Sequence, residues 1–292
     1  MKRLSCAVFT ASLLAVCATG AHAGEIETGG KLKLTHGVSA LEGGAGGGLA
    51  TWAVIAGNET NRGVGGEAHA TYVDVSDYKL RAVGGAIGWH DRVELSATRQ
   101  EFDTGPTGAK LGLGKGFTFK QTVLGAKVRV LGDAVYTQDS WIPQVSVGAQ
   151  YKDNSQDAIV RAVGAKKDSG VDWYVAATKV LLDKSLVLSG AVRLTKANQT
   201  GLLGFGGDKE SGYKPQFEGS AGYLLSKRLV VGAEYRTKPS NLGFAKEDDW
   251  MDVFAAYAVT KNVSVTAAYV DLGDIATFKN QRGLYLSLQA GF

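Results

Sequence analysis

The chain has 292 residues, with 32 Lys and Arg against 28 Asp and Glu, 40 Gly, 4 Pro and 2 Cys. A net charge of +4 with no basic run in the body of the chain excludes the electrostatic footprint of a nucleic-acid binder. Both cysteines precede residue 23, and no later stretch approaches the ~20 apolar residues of a spanning helix. A disulfide-stapled secreted domain and a helical membrane protein are therefore both excluded.

Met1–Ala23 has the layout of a secretory signal: Lys2 and Arg3, an apolar run Leu4–Ala18, and the small-x-small site Ala21-His22-Ala23. Cys17 follows Val16, which is not the small residue a lipid-attachment site wants. The mature domain is then 24–292. Its glycines sit inside alternating segments beside Tyr, Trp and Phe, as they do where strands curve or pack closely.

In chain order, Gly30–Val38 and Leu49–Ala56 read as strands joined by the glycine-rich loop Glu42–Gly48, and Val64–Val75 follows as a third. Lys79–Trp89 and Val93–Phe102 form a hairpin on the turn His90-Asp91-Arg92. Phe117–Leu131 and Gln144–Lys152 read as strands linked by Gly132–Pro143, and Asp157–Lys167 as a short helix in a loop. Asp172–Leu182 and Leu186–Lys196 flank Asp183-Lys184-Ser185. Gln216–Leu225 and Leu229–Lys238 flank Ser226-Lys227-Arg228, and Trp250–Val259 and Val263–Leu272 flank Thr260-Lys261-Asn262. The last stretch alternates Leu284, Leu286, Leu288, Ala290 and Phe292 against Tyr285, Ser287, Gln289 and Gly291.

Four hairpins on three-residue turns thus alternate with longer polar loops. That asymmetry predicts an all-β fold, an antiparallel transmembrane β-barrel of about 14 strands (about 12 to 16), with short periplasmic turns and longer outer loops. Tyr151, Tyr223, Tyr235, Tyr257, Tyr269, Trp89 and Trp250 lie near strand ends, where amphipathic rings settle at a membrane interface. The off-face residues Arg193, Arg236, Lys127, Arg129, Lys179, Glu218, Glu234, Asp252, Glu67 and His69 are the candidates to line the lumen. Both signs occur together, so they either pair and fill the interior or border an open path. No plug fits before Lys31, which disfavours energised uptake through a plugged barrel.

The signal, the turn asymmetry and the terminal Leu-Tyr-Leu-Ser-Leu-Gln-Ala-Gly-Phe resemble a Gram-negative outer-membrane β-barrel. That resemblance implies recognition of Phe292 and Tyr285 by the barrel assembly machinery, with outer-membrane lipid and lipopolysaccharide as surroundings. Leu202–Asp208, Asn241–Ala245 with Glu247-Asp248-Asp249, Ala268–Ala276 and Gly148–Lys152 further resemble an uncharacterised proteobacterial family, domain of unknown function 3034. It implies a fold and a location, the cell outer membrane, but no activity.

Sites for chemistry are few. Leu111-Gly112-Leu113-Gly114-Lys115-Gly116 lacks the Ser or Thr that a phosphate loop needs after Gly-Lys. His36, His69 and His90 fit no zinc spacing, and the acidic run Glu247–Asp249 with Asp271 and Asp274 fits no calcium loop. No cofactor or metal is expected. His69, sharing a face with Glu67, could serve as a general base of a lipid hydrolase, but no serine is forced near it. The expectation is a non-enzymatic passive channel or solute-uptake barrel for an unknown small solute. The alternatives are a structural barrel of an envelope assembly and, behind it, an outer-membrane lipid hydrolase.

Overall fold

The computed structural model describes residues 27–292. The signal read over 1–23 lies outside the described residues. Two very short strands come first, β1 (Val38–Ser39) and β2 (Ala45–Gly46), paired with each other. Twelve long strands then close a single sheet: β3 (Val64–Val75), β4 (Lys79–Trp89), β5 (Val93–Asp103), β6 (Thr118–Leu131), β7 (Gln144–Asn154), β8 (Ser169–Leu181), β9 (Leu186–Thr195), β10 (Lys214–Ser226), β11 (Leu229–Arg236), β12 (Trp250–Ala258), β13 (Val263–Asp271) and β14 (Arg282–Gly291). Every pairing is antiparallel and joins sequence neighbours, and β14 closes the ring on β3, with Ser287 opposite Thr71 and Gln289 opposite His69. Closure leaves no strand with free N–H and C=O groups along its edge.

The wall is inside-out relative to a soluble sheet. In β14 the side chains of Leu284, Leu286 and Leu288 face outward and are exposed, whereas Tyr285, Ser287 and Gln289 are buried inside. In β12, Met251, Val253 and Tyr257 face out, and Asp252, buried, faces in. The period of two fixes this. Once one face is apolar along a whole strand, a slip of one residue would turn every side chain to the wrong side. The tight turns after β4, β8, β10 and β12 lie at one end of the barrel, with Phe292 beside Gly66 and Asn58 (the turn rim). The longer connections after β5, β7, β9, β11 and β13 lie at the other (the loop rim).

The strand count is a correction. Twelve strands form the wall, and the two removed from the expected 14 are Gly30–Val38 and Leu49–Ala56. They run inside the barrel instead. The chain enters at the turn rim, where Glu27 bridges Gly63, folds back on the β1–β2 pair, and leaves again toward β3. Every residue from Leu34 to Glu59 is buried. The plug follows Lys31 rather than preceding it.

The long connection 132–143 at the turn rim folds over the barrel mouth. Val180 N–H donates to Ala134 O at 2.8 Å, and Ala134 and Val135 are buried. In the loop after β7 the helix α2 covers Asp157–Ala162, a shorter span than Asp157–Lys167. A one-turn helix α1 (Thr107–Lys110), which the sequence did not suggest, sits in the loop after β5.

Candidate functional site

The lumen and the segment filling it form one polar assembly, built in three tiers. Near the turn rim, Lys31 Nζ donates to Ile55 O at 2.7 Å and pairs with Asp91 at 2.9 Å and Glu59 at 3.6 Å. Burial pushes the Glu59 carboxyl up to about 7, against the pull of Lys31, with Asp91 adding to the rise.

In the middle tier the wall reads the backbone of the segment. Lys127 Nζ donates to Ala45 O at 3.0 Å and Val54 O at 2.9 Å and pairs with Glu94 at 3.1 Å. Glu94 Oε2 accepts Ala56 N–H at 2.8 Å. Thr178 Oγ1 accepts Ala53 N–H at 2.8 Å, while Gln144 Nε2 donates to Ala53 O at 2.7 Å. Glu67 Oε1 accepts the Ser39 hydroxyl at 2.9 Å, and Gln289 accepts Ser39 N–H at 2.9 Å while donating to Glu67 at 2.8 Å.

The upper tier is ionic. Arg193 Nε pairs with Glu218 at 2.6 Å, its Nη1 donates to Gln150 at 2.7 Å and its Nη2 to Thr51 Oγ1 at 2.7 Å. Glu218 Oε2 accepts Thr51 N–H at 2.7 Å, and Glu234 Oε2 accepts Leu49 N–H at 2.7 Å. Glu42, at the tip of the hairpin, receives Arg236 at 2.6 Å and Lys152 at 2.9 Å, and Lys152 also pairs with Asp172 at 2.8 Å. Three cations and four carboxylates meet here, all buried. Such a cluster persists only when each charge has partners, since removing water from an isolated ion costs several kcal/mol.

Glycine permits close packing within the hairpin at Gly46 and against the wall at Gly47. A Cβ at Gly46 would lie 2.5 Å from Ala50 O, and one at Gly47 would lie 1.7 Å from Glu234 Oε1.

Of the residues expected to line the lumen, Arg193, Arg236, Lys127, Glu218, Glu234 and Glu67 all bond to the hairpin. Arg129 and Lys179 are set apart. They face the mouth at the turn rim and hold the 132–143 connection, Arg129 through Asp133 while also pairing with Asp91 of the turn after β4, and Lys179 through Thr137 O at 2.7 Å. Asp252 stands opposite Glu234 in register, with Oδ1 unpartnered. His69 is buried with neither ring nitrogen partnered, and Glu67 spends its oxygens on Ser39 and Gln289. Glu67, though on the same face, therefore does not orient His69 as a base. Tyr285 is buried inside the barrel, and Phe292 O accepts the N–H groups of Asn58 at 2.9 Å and Gly66 at 3.1 Å.

Sequence reasoning missed Glu42, Glu94, Lys152, Asp172 and Gln150. Glu94 and Gln150 carried the same off-face signal as the residues selected. Glu42 lay in what read as a loop, and Lys152 and Asp172 at strand ends, where charge is usually solvated.

At the loop rim the acidic residues are spent in local pairs: Asp271 with Arg282 at 2.7 Å, Asp248 with Lys246 at 2.9 Å, and Glu247 with Lys238 at 3.6 Å. Burial lowers Lys238 to about 8 and raises Glu247 to about 7. Among the described residues no group of three or more His, Cys, Asp or Glu could hold a metal ion.

Several solved structures are similar to this chain. A KdgM porin superposes with a TM-score of 0.51 at 11% identity, covering 77% of this chain and 99% of that one. A NanC porin gives 0.49 at 12% identity over 78% and 98%, and outer membrane phospholipase A from Escherichia coli gives 0.43 at 11% over 77% and 89%. The chain is thus a 12-stranded barrel resembling outer-membrane porins. No curated protein matches it. The family model described as protein of unknown function (DUF3034) matches residues 35–289, from inside the lumen hairpin to the last strand, and the chain belongs to that family.

Proposed function

We propose that this chain is an outer-membrane β-barrel of the channel or solute-uptake kind, held shut by its own segment Lys31–Glu59 and conducting a small solute only when that segment shifts. One observation carries the reading. The lumen is wide enough for two passes of polypeptide, and a hairpin that enters at the turn rim occupies it together with the inward wall side chains. Displacing a hairpin opens a path, whereas a lumen packed by its own wall has nothing to displace. The apolar exterior, strands of 8 to 14 residues and the porin-like fold support placement in a bilayer, where a closed sheet satisfies all backbone groups. On this reading the chain is exported by its signal, is recognised by the barrel assembly machinery through Phe292 and Tyr285, and sits among outer-membrane lipid and lipopolysaccharide.

One structure of the KdgM porin is a complex with disordered oligogalacturonate. A path for such a polyanion is not supported here, because Lys127, Lys152, Arg193 and Arg236 each already hold a carboxylate. An enzymatic role finds no support in a His69 that faces the lumen without a hydroxyl partner. A second reading, a structural barrel of an envelope assembly, is favoured by one feature. The connection 132–143 presents Trp141, 76% exposed, beside Ile142 and Tyr136 at the turn rim. Conductance across planar bilayers separates the two: a variant lacking residues 38–56 should open steps that the full chain lacks, and a barrel sealed in both forms would favour the structural role.

A further inference from the structure

The two rims of the barrel carry charge differently. Every tight turn holds an exposed cation: Arg92 after β4, Lys184 after β8, Lys227 and Arg228 after β10, and Lys261 after β12. Arg62, just before β3, is exposed at the same rim. Against these six stand three exposed carboxylates, Glu27, Asp139 and Asp183. The ion pairs of this rim lie further in, Lys31 with Asp91 and Glu59 and Arg129 with Asp91 and Asp133, and the six take part in none among the described residues. Arg92 reaches a backbone carbonyl, Arg129 O at 3.4 Å, and Lys184 Nζ stands 5.0 Å from the centre of the Trp141 ring. At the loop rim, by contrast, surface cations hold carboxylates: Lys79 with Asp74 and Lys246 with Asp248 at 2.9 Å, Arg282 with Asp271 at 2.7 Å, and Lys214 with Glu210 at 3.2 Å.

The place of these cations says what they meet. Tyr223 and Leu225 come just before Lys227, and Tyr257 and Val259 just before Lys261, all four exposed on the outward face. Leu182, also exposed, stands two residues before Lys184. The outer wall therefore changes from apolar and aromatic to cationic within a few residues. In a bilayer that change marks the boundary where tyrosine rings settle, and where Lys and Arg lay their stems along apolar surface with the charge among the headgroups. The turns after β4, β8, β10 and β12 also spread the cations round the circumference. A compact acidic partner would call for cations gathered on one side. A ring of separate charges matches many small anions arranged round the wall.

We infer that the turn rim is a docking ring for anionic phospholipid headgroups in the leaflet that meets it. A Lys or Arg close to an anionic lipid surface favours it by roughly fivefold, an attraction that salt screens. The inference rests on the bilayer placement of the reading above and not on conduction, so a barrel that never opens would leave it untouched.

The test is electron paramagnetic resonance of the full mature chain in phosphatidylcholine vesicles, with spin-labelled phosphatidylglycerol or spin-labelled phosphatidylcholine as probe. Lipid beside the wall gives a motionally restricted component. In the native chain that component should favour phosphatidylglycerol by about two- to fivefold, since one leaflet of two carries the ring. Salt at about 1 M, where the Debye length is ~3 Å, should remove the preference. Replacing Arg62, Arg92, Lys184, Lys227, Arg228 and Lys261 by Gln should bring the two probes to parity, with heat-modifiable gel migration confirming a folded barrel. The matched loss of six exposed loop-rim cations, Lys110, Lys115, Lys166, Lys167, Lys209 and Lys279 to Gln, should leave the preference in place. A restricted component without preference in the native chain, or a preference that survives the turn-rim variant, would overturn the docking ring while the bilayer placement stands. No restricted component with either probe would overturn the placement and the ring with it.

Discussion

Arg236 reaches across the lumen to Glu42, donating from Nη2 at 2.6 Å and Nη1 at 2.9 Å over 194 residues of sequence. It also donates to Leu49 O at 3.1 Å. One side chain of β11 therefore holds both the tip and the returning arm of the hairpin.

Arg236→Met should loosen the hairpin without opening the wall. Removing one partner of a buried pair costs about 3–5 kcal/mol. Lys152 still faces Glu42, so the lower end of that range applies. Hydrogen exchange should rise at the amides of Leu49 and Ala50 while protection in β12–β14 stays unchanged. Uniform loss of protection would mean that the pair holds the whole barrel rather than the plug.

Gly46→Ala should have a similar effect by a steric route. The added Cβ meets the backbone carbonyl of Ala50 at 2.5 Å, which no rotamer change relieves. The β1–β2 pairing should be lost, seen as exchange at Val38 and Ser39, in a barrel that still runs as a folded species on unheated gels.

Glu59 gives the hairpin a pH dependence. Its folded pKa, raised by burial to about 7, lies above the ordinary value of 4.5. The folded state thus takes up its proton more readily, and stability from this group is full below pH ~4.5 and lost as pH rises through about 7. Glu59→Gln should therefore raise the unfolding temperature relative to the native chain at pH 8.5 and change it little at pH 4. A larger gain at pH 4 would contradict the assignment.

Val253→Arg tests the outer face. Val253 is 60% exposed at the middle of β12, where a lipid-facing Arg costs about 2–4 kcal/mol. Folding into vesicles should weaken by that amount, whereas a solvent-facing position would show almost no change.

The wall was legible because its rule is strict. Each strand must show one apolar and one polar or small face, and short turns must alternate with long loops, as β12 to β14 do apart from the inward-facing Trp250, Phe254 and Val270. The hairpin obeys no such rule. Inside a polar lumen both faces of Leu49–Ala56 are buried, so the run Leu-Ala-Thr-Trp-Ala-Val-Ile-Ala satisfies a strand template without being a wall strand. Parity could not expose the error, since removing two strands from 14 leaves an even number and keeps every tight turn on the same rim. The lumen side chains were identifiable one by one from their off-face charge. What they bind was not, because Glu42, Thr51 and Ala53 approach them only through the long-range fold.

On the proposed function the segment Lys31–Glu59 is a removable closure. Its most direct test is a disulfide between Gly43→Cys and Thr98→Cys, whose Cβ atoms would lie 3.0 Å apart, a small shift from disulfide geometry, measured by single-channel conductance in planar bilayers with and without reductant. If the hairpin is the closure, the oxidised barrel stays silent and reduction, with voltage or solute to move the hairpin, brings discrete steps that the 38–56 deletion shows constitutively. Identical conductance in the oxidised, reduced and deleted forms would contradict it.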